Sequence, residues 1–246
     1  MTGVVYLVGA GPGAGDLLTL RAARLLGEAD VVLYDALVGE EALALAKKAK
    51  LYNVGKRAGR PSTDQRFICR LLVRLAGRHR TIVRLKGGDP SLFGRAGEEL
   101  DACRAAGVPV SIVPGVSAGF AAAASLGSSL TLRGIARSVT FVTPATAKHG
   151  VQSNAWADAA ANAETALVYM GAVEAARVRD QLVSRGVPAS RPVALVENAS
   201  RVTERIVRGT LSELPELAAQ LGDGPALMVI GEAVAQAGAL ARSAAA

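Results

Sequence analysis

The chain has 246 residues, of which 50% are hydrophobic and only 4% are aromatic, and its formal net charge is +7. The apolar content excludes an intrinsically disordered chain, because enough apolar surface is present to form a sizeable core. The length permits one large domain or two smaller ones, and we expect two α/β domains.

The sequence argues against a membrane protein and against a metal or disulfide framework. No stretch approaches ~18 uninterrupted apolar residues, and the first residues carry no positively charged leader, so we expect a cytoplasmic protein without a membrane span. Cys69 and Cys103 show no CxxC spacing, and His79 and His149 are the only histidines. We therefore predict neither a metal site nor structural disulfides.

The positive charge predicts an anionic ligand, because a basic surface raises the local concentration of anions. A nucleic-acid partner is disfavoured, since aromatic residues are not interleaved with the basic ones and no known nucleic-acid-binding module is visible. We expect a small anionic substrate instead. The alternative is that many of the arginines lie on solvated helix faces.

Apolar runs alternate with segments of helical spacing through the first half of the chain. Strands are predicted at 4–8, 30–34, 51–54, 81–85 and 108–113, and helices at 17–26, 40–49, 65–75 and 98–106. Pro114 and Gly115 mark the best boundary, which gives predicted domains 1–114 and 115–246.

The second half begins with small residues at 116–126, which predict a helix. Further strands are predicted at 138–143, 165–170, 192–196, 205–209 and 226–230, with a loop and a short helix within 144–162. This alternation predicts the α/β class with mainly parallel or mixed sheets, which bind ligands outside the carboxyl ends of their strands. Unusual glycine-rich and charged motifs follow many of these strand ends.

The first of these motifs is the glycine-rich turn 9–15, which partly matches the dinucleotide-binding pattern GxGxxG. Asp30 and Asp35 follow at about the spacing of ~20 residues that such a fold uses. Pro12 has no amide hydrogen, however, and so removes a donor that a pyrophosphate cradle needs. This disfavours a nicotinamide dinucleotide and leaves a plain strand-to-helix turn as the alternative.

Charged residues follow the second and third strands. Asp35 comes directly after an apolar run, where a carboxylate at the sheet edge is suited to proton transfer; the alternative is that it caps the next helix. The loop 55–60 places Lys56, Arg57 and Arg60 among glycines. Such a loop suits recognition of carboxylates, or it is simply solvated.

The turn 86–90 follows the fourth strand and does not match a phosphate-binding loop, because the Walker spacing is absent. Gly87 and Gly88 allow the backbone itself to contact a ligand. Asp89 can accept hydrogen bonds from an amine or from ribose hydroxyls, and its alternative role is to form the turn.

Taken together, these segments resemble the uroporphyrinogen-III C-methyltransferase branch of the tetrapyrrole methylases. The resembling stretches are 4–13, 34–38, 55–59, 83–90, 93–95, 113–118, 137–140, 169–171, 196–198 and 208–210. The most specific of them are the Lys-Gly-Gly-Asp-Pro segment 86–90 and the Gly-Lys-Arg segment 55–57.

The resemblance implies two α/β domains, S-adenosylmethionine held in a cleft between them, and a homodimer. It also implies methylation of uroporphyrinogen III to precorrin-2 through precorrin-1, which leads to siroheme and cobalamin. Matched motif by motif, the residues expected to contact the cofactor are Pro12, Gly87, Gly88, Asp89, Leu92, Ser117, Ala118, Met170, Ala199 and Ala226.

The resemblance further assigns proton-transfer roles to Asp35 and Lys56. Methyl transfer from a sulfonium depends mainly on in-line approach of the acceptor carbon, so positioning supplies much of the rate. The eight carboxylates of the substrate give the basic excess a purpose. The arginines expected to meet them are Arg57, Arg60, Arg95, Arg133 and Arg137.

One departure from the family pattern bears on the substrate: Leu132 stands where the family usually has histidine. This leaves other functions open. They are a methyltransferase of the same fold acting on a later precorrin, on a protein or on RNA, and a module that binds S-adenosylmethionine without catalysis.

Overall fold

The structure is a computed structural model that describes residues 2–55, 64–145 and 153–235. The chain divides into two compact units, 1–117 and 118–246. Within the described residues each unit contains one five-stranded sheet with helices packed on it. This is the α/β class that the sequence predicts, and that prediction is confirmed.

The first unit contains a fully parallel sheet with the strand order β3-β2-β4-β1-β5. Its strands are β1 Val4–Gly9, β2 Val31–Tyr34, β3 Lys50–Asn53, β4 Thr81–Lys86 and β5 Val110–Val113. Its helices are α1 Leu20–Glu28, α2 Glu40–Ala44, α3 Gln65–Ala76 and α4 Ala96–Ala105. The predicted helix at 40–49 is therefore shorter in the structure, because the chain turns after Ala44 to enter β3.

Helices cover both faces of this sheet because its strands alternate side chains between two apolar layers. Leu7 and Ile82 belong to the layer that packs against Leu72 of α3. Val8 and Leu85 belong to the opposite layer, which includes residues of α1 and α2. Thr19 begins α1 by accepting a hydrogen bond from the amide of Ala22 at 3.2 Å.

Parallel pairing places the carboxyl ends of all five strands at one edge of the sheet. Gly9 is paired with Lys86, and Tyr34 lies in register with both Leu85 and Asn53. The loops that carry the glycine-rich turn, Asp35 and the Lys-Gly-Gly-Asp-Pro segment therefore leave the sheet side by side.

The second unit contains a mixed sheet with the strand order β6-β7-β10-β8-β9. Its strands are β6 Val139–Val142, β7 Thr165–Tyr169, β8 Pro192–Glu197, β9 Arg205–Thr210 and β10 Ala226–Gly231. Its helices are α5 Ala118–Leu126, α6 Ala155–Asn162, α7 Ala175–Val183 and α8 Leu214–Ala218. No helix in the described part of the chain is long and apolar enough to cross a membrane.

Only β6 and β7 pair in parallel in this second sheet, whereas the other three pairings are antiparallel. A short connection, 198–204, joins β8 to β9 and suits an antiparallel hairpin, since parallel neighbours require a longer crossover. Antiparallel β10 lies between β7 and β8. As a result, the amino end of β10 lies beside the carboxyl ends of β7 and β8.

The close approach of backbone at the carboxyl edge of the first sheet leads to a stability prediction. A Cβ atom added at Gly115 would lie 2.8 Å from the Cα of Gly9 and would also clash with the carbonyl oxygen of Gly88. These are backbone atoms that cannot rotate away. We expect Gly115→Ala to lower the free energy of unfolding by about 1–3 kcal/mol, measured by urea denaturation.

Gly97→Ala is the matched control, because Gly97 lies in α4 and a Cβ atom there would meet no atom within 4 Å. Alanine is the better helix former by about 0.5–1 kcal/mol, so this variant should be at least as stable as the unmodified chain. Equal stability of the two variants would contradict the role assigned to the close approach.

Candidate active site

Three glycine-containing loops meet at the carboxyl edge of the first sheet. The amide of Gly88 donates to the carbonyl of Gly11 at 2.7 Å, and the amide of Gly11 donates back to the carbonyl of Gly88 at 3.3 Å. Both residues have positive φ angles, 72° at Gly11 and 68° at Gly88, which glycine adopts without strain. A Cβ atom at Gly9 would lie 2.6 Å from the Cα of Gly115. The sequence motifs that follow β1, β4 and β5 are therefore in direct contact.

This arrangement brings together most of the predicted cofactor residues of the first unit. Pro12 directly follows Gly11, and Gly87 and Asp89 flank Gly88 in the facing loop. Ser117 is buried and lies in the loop that follows β5. Their backbone groups line one edge of the sheet, as a ligand-binding edge requires.

Asp89 links the loop after β4 to the loop after β5 through hydrogen bonds. Its carboxylate accepts the amide hydrogen of Gly115 at 2.9 Å, the amide hydrogen of Ser91 at 2.8 Å and the hydroxyl of Ser91. Burial raises the pKa of this carboxyl, but the hydrogen bonds from Ser91 and Gly115 outweigh burial and hold the pKa below its ordinary value. These hydrogen bonds correspond to the alternative role of Asp89, which is to form the turn.

The loop after Asp89 holds two residues in the left-handed region, Phe93 with φ 52° and Arg95 with φ 55°. Non-glycine residues rarely adopt this conformation, and such residues cluster at functional sites. Leu92 precedes Phe93 and is half-buried. Arg95 donates two hydrogen bonds to Glu98, at 2.7 Å and 2.9 Å, which raise the pKa of its guanidinium.

Asp35 follows β2 at the same edge and is only partly enclosed, with 28% of its side chain exposed. Its Oδ2 accepts a hydrogen bond from Arg84 at 3.3 Å. Its Oδ1 is buried and has no hydrogen-bond partner among the described residues. The alternative role as a helix cap is wrong, because α2 begins at Glu40 and the residue at its cap position is Gly39.

The loop after β3 packs closely against the backbone of Asp35. A Cβ atom at Gly55 would lie 2.9 Å from the carbonyl carbon of Asp35 and closer still to the amide of Ala36. Glycine is thus required here for the two loops to meet. The predicted residues Lys56, Arg57 and Arg60 lie outside the described residues.

Sequence analysis missed a buried group of charges behind Asp35. Arg84 and Lys86 point to the same face of β4, and both contact Glu99 of α4, which is fully buried. Burial lowers the pKa of Lys86, nearby Arg84 lowers it further, and Glu99 opposes both effects. The available signal was two cations at alternate positions of an otherwise apolar strand, since a buried cation requires a carboxylate partner.

In the second unit, four of the predicted cofactor residues lie at one edge of the mixed sheet. Met170 follows β7, Ala199 follows β8, and Ala226 begins the antiparallel strand between them. Ala118 begins α5, and the next amide, that of Gly119, donates to the hydroxyl oxygen of Tyr169 at 2.8 Å. The structure therefore groups these residues as the sequence motifs suggest.

The loops at this edge are also strained. Met170 has a φ of 55°, and Ala199 lies between Asn198 with φ 52° and Ser200 with φ 67°. A side chain in the left-handed region costs about 1–3 kcal/mol and persists only where the surroundings impose it. Of the predicted cofactor residues, Met170 is thus itself strained, and Ala199 lies between two strained residues.

The predicted substrate arginines of the second unit are placed differently. Arg137 precedes β6, and its amide donates to Glu164, which precedes β7. Because β6 and β7 are parallel, Arg137 lies at the opposite edge of the sheet from Met170. Arg133 is exposed in a turn closed by two hydrogen bonds of 2.8 Å between the backbones of Leu132 and Ala136. The structure does not bring Arg137 together with the cofactor residues of its own unit.

Known proteins are similar to this chain in sequence and in fold. A family profile described as tetrapyrrole (corrin/porphyrin) methylases matches residues 4–215. A siroheme synthase from Tolumonas auensis is 44% identical over 239 residues, which cover 97% of this chain and 51% of that protein. The chain thus spans about half the length of the curated relatives it matches.

Two solved structures are similar over nearly the whole chain. The uroporphyrin-III C-methyl transferase from Thermus thermophilus, complexed with S-adenyl homocysteine, is 42% identical with a TM-score of 0.84, and the match covers 95% of this chain and 100% of that one. A cobalt precorrin-4 methyltransferase is 29% identical with a TM-score of 0.82 and coverages of 94% and 95%. The resemblance inferred from the sequence motifs is confirmed: the chain belongs to the tetrapyrrole (corrin/porphyrin) methylase family.

Proposed function

We propose that this chain is an S-adenosylmethionine-dependent methyltransferase that methylates carbon atoms of uroporphyrinogen III, forming precorrin-2 through precorrin-1. The observation that carries the proposal is the position of Asp35, which lies at the same sheet edge as three contacting glycine loops and whose Oδ1 has no hydrogen-bond partner among the described residues. The similarity to a uroporphyrin-III C-methyl transferase complexed with S-adenyl homocysteine supports it.

The loops of the first unit fit a nucleoside ligand because their glycines have no side chains that would keep a ligand away from the backbone. The absence of Cβ atoms at Gly9 and Gly115 allows the three loops to touch, and Phe93, in the loop after Asp89, has a left-handed φ of 52°. The residues proposed to hold S-adenosylmethionine are Pro12, Gly87, Gly88, Asp89, Leu92, Ser117, Ala118, Met170, Ala199 and Ala226. When bound, this cofactor supplies an electrophilic methyl group on a sulfonium.

Asp35 is proposed to accept the proton that leaves the macrocycle after a ring carbon has gained its methyl group. Arg84 occupies Oδ2 and leaves Oδ1 with lone pairs that no described residue uses. A carboxylate held in this way is suited to general-base catalysis. Lys56 is proposed as a second proton-transfer group on the basis of the family motif.

Arginine side chains are proposed to bind the carboxylates of the substrate. Arg95 is supported best by geometry, because it lies in the loop after β4 at the same edge as Asp35. Its pair with Glu98 is exposed, and such pairs contribute only about 0–1 kcal/mol, so a substrate carboxylate can replace Glu98. Arg57, Arg60 and Arg133 complete the proposed set on the basis of charge and the motifs, whereas Arg137 is left out because it lies at the opposite edge of its sheet from Met170.

A homodimer is also part of the proposal, based on the family resemblance, and so is the cytoplasmic location that the sequence predicts. No nucleic-acid partner is proposed, because the basic residues are accounted for by a polycarboxylate substrate. The proposal is confined to methylation, since the chain spans about half the length of the siroheme synthases it matches.

Methylation of a later precorrin is the second candidate function. The similarity to a cobalt precorrin-4 methyltransferase favours it, as does Leu132 at a position where the family usually has histidine. The two candidates share the cofactor and differ in the acceptor carbon.

Anaerobic incubation with uroporphyrinogen III and methyl-labelled S-adenosylmethionine tests the proposed reaction directly. We expect label in the tetrapyrrole, detected by mass spectrometry as mono- and dimethylated products. Label that appears only when precorrin-2 is supplied would favour the later precorrin. Binding of the methyl donor without label in any tetrapyrrole would instead indicate a non-catalytic module.

Asp35→Asn tests the proton-transfer role. The amide keeps the size of the side chain but cannot act as the base, so we expect kcat to fall about 10²- to 10⁴-fold. The Kd for S-adenosylhomocysteine, measured by calorimetry, should stay within about threefold of the wild-type value. Asp101→Asn is the control, because Asp101 lies on α4 with 80% of its side chain exposed. An unchanged kcat in Asp35→Asn would contradict the assignment.

Asp89→Ala tests the cofactor loops. Removal of this carboxylate leaves the amide of Gly115 and the backbone of Ser91 without their acceptor, so the two loops separate. Hydrogen bonds to charged groups contribute about 1.5–3 kcal/mol, so we expect the Kd for S-adenosylhomocysteine to rise about ten- to hundredfold. Asp101→Ala should leave the Kd unchanged, and an unchanged Kd in Asp89→Ala would count against the proposed cofactor site.

A further inference from the structure

Four charged side chains form a group beneath the carboxyl ends of β2 and β4, which we name the ion cluster: Asp35, Arg84, Lys86 and Glu99. Arg84 is 4% exposed and Glu99 is fully buried. Arg84 lies in the resembling stretch 83–90 and Glu99 lies in none of the sequence motifs, and neither residue has yet been assigned a role in proton transfer. The ion cluster therefore needs a separate explanation.

The guanidinium of Arg84 donates hydrogen bonds to three different groups. Its Nε donates to Oε1 of Glu99 at 3.1 Å, one terminal nitrogen donates to the carbonyl of Leu85 at 3.0 Å, and the other donates to Oδ2 of Asp35 at 3.3 Å. The guanidinium is planar, so two of these bonds determine the direction of the third. Arg84 is thus a rigid donor aimed at one oxygen of Asp35.

Glu99 holds Arg84 in this orientation. It also accepts hydrogen bonds from Lys86, at 3.1 Å to each oxygen, and from Gln65 of α3 at 3.0 Å. Without Glu99, the cations of Arg84 and Lys86 would face each other in a buried environment. The side chain of Glu99, which comes from α4, therefore allows two cations to lie on one face of β4.

Stability alone does not account for the ion cluster. Replacing buried ion pairs with apolar side chains of similar size is often neutral or stabilising, because the cost of desolvating charges offsets their attraction. The apolar layer around Ile82 and Leu72 would accommodate such residues. The two cations face two carboxylates, and Asp35 is the only member of the cluster that is more than slightly exposed.

We propose that Arg84, anchored by Glu99, is the positioning residue that orients the Asp35 carboxylate for proton transfer. Arg84 donates a hydrogen bond to Oδ2, which fixes the plane of the carboxylate. Arg84 itself does not touch the reacting atoms. This inference rests on the proposed methylation, in which Asp35 accepts a proton.

A double-mutant cycle separates positioning from a purely structural role. The variants are Arg84→Gln, Asp35→Asn and the double variant, measured by single-turnover methylation of uroporphyrinogen III. In the otherwise unmodified enzyme, we expect Arg84→Gln to lower the rate at least tenfold. In the Asp35→Asn background, the same change should lower the rate less than threefold, because the group that Arg84 orients is already absent.

Two control measurements test whether Arg84→Gln lowers the rate merely by damaging the structure. The Kd of Arg84→Gln for S-adenosylhomocysteine should stay within threefold of the wild-type value, which shows that the cofactor loops are intact. Arg104→Gln is the matched control, because Arg104 also contacts a carboxylate of α4 but is 67% exposed, and its rate should be unchanged. If Arg84→Gln does not fold, Glu99→Gln takes its place in the cycle and is interpreted in the same way.

Equal losses in both backgrounds, or an unchanged rate in Arg84→Gln, would overturn the inference while leaving the proposed function in place. Failure of the proposed function would be visible earlier, as the absence of turnover by the unmodified enzyme, and would overturn this inference as well. The two failures are therefore distinguishable.

Discussion

The close approach of backbone at Gly9, Gly88 and Gly115 is the constraint on which the first unit depends. Five parallel strands end at one edge, and three of the loops that follow them touch through atoms that leave no space for a Cβ. Asp89 then fastens two of these loops through its carboxylate. This packing brings the separate glycine motifs into direct contact at one edge of the sheet.

The core of the same sheet contains buried charged side chains, which are not required for its stability. Arg84 and Lys86 lie on the face of β4 that is otherwise apolar, and one buried carboxylate from α4 compensates both. Burial of these charges is costly, and they lie directly behind Asp35, whose buried Oδ1 has no hydrogen-bond partner among the described residues. Costly polar contacts next to a candidate catalytic group are typical of positioning in enzymes.

In the second unit, the direction of the strands brings the candidate residues to one edge of the sheet. Antiparallel β10 brings its first residue beside the ends of β7 and β8, so Ala226 joins Met170 and Ala199 at one edge. Positive φ angles at Met170, Asn198 and Ser200 show that the loops there are held in unfavourable conformations. Strain of this kind is typical of loops whose shape serves a ligand.

The sequence by itself determined the α/β class, the approximate positions of all ten strands in the described residues, and the motifs at the strand ends. These features depend on local periodicity and turn chemistry, which a chain shows without knowledge of its neighbours. It also placed Asp35 at a strand end, while leaving open whether that residue begins a helix.

The tertiary structure alone decided which strand ends become neighbours. The order β3-β2-β4-β1-β5 places Arg84 beside Asp35, and the packing of α4 buries Glu99 against both cations. It likewise decided the antiparallel direction of β10 and the position of Arg137 at the far edge of its sheet. These outcomes arise from contacts between residues far apart in the chain, where the cost of burying a charge is compensated only once the partner has folded against it.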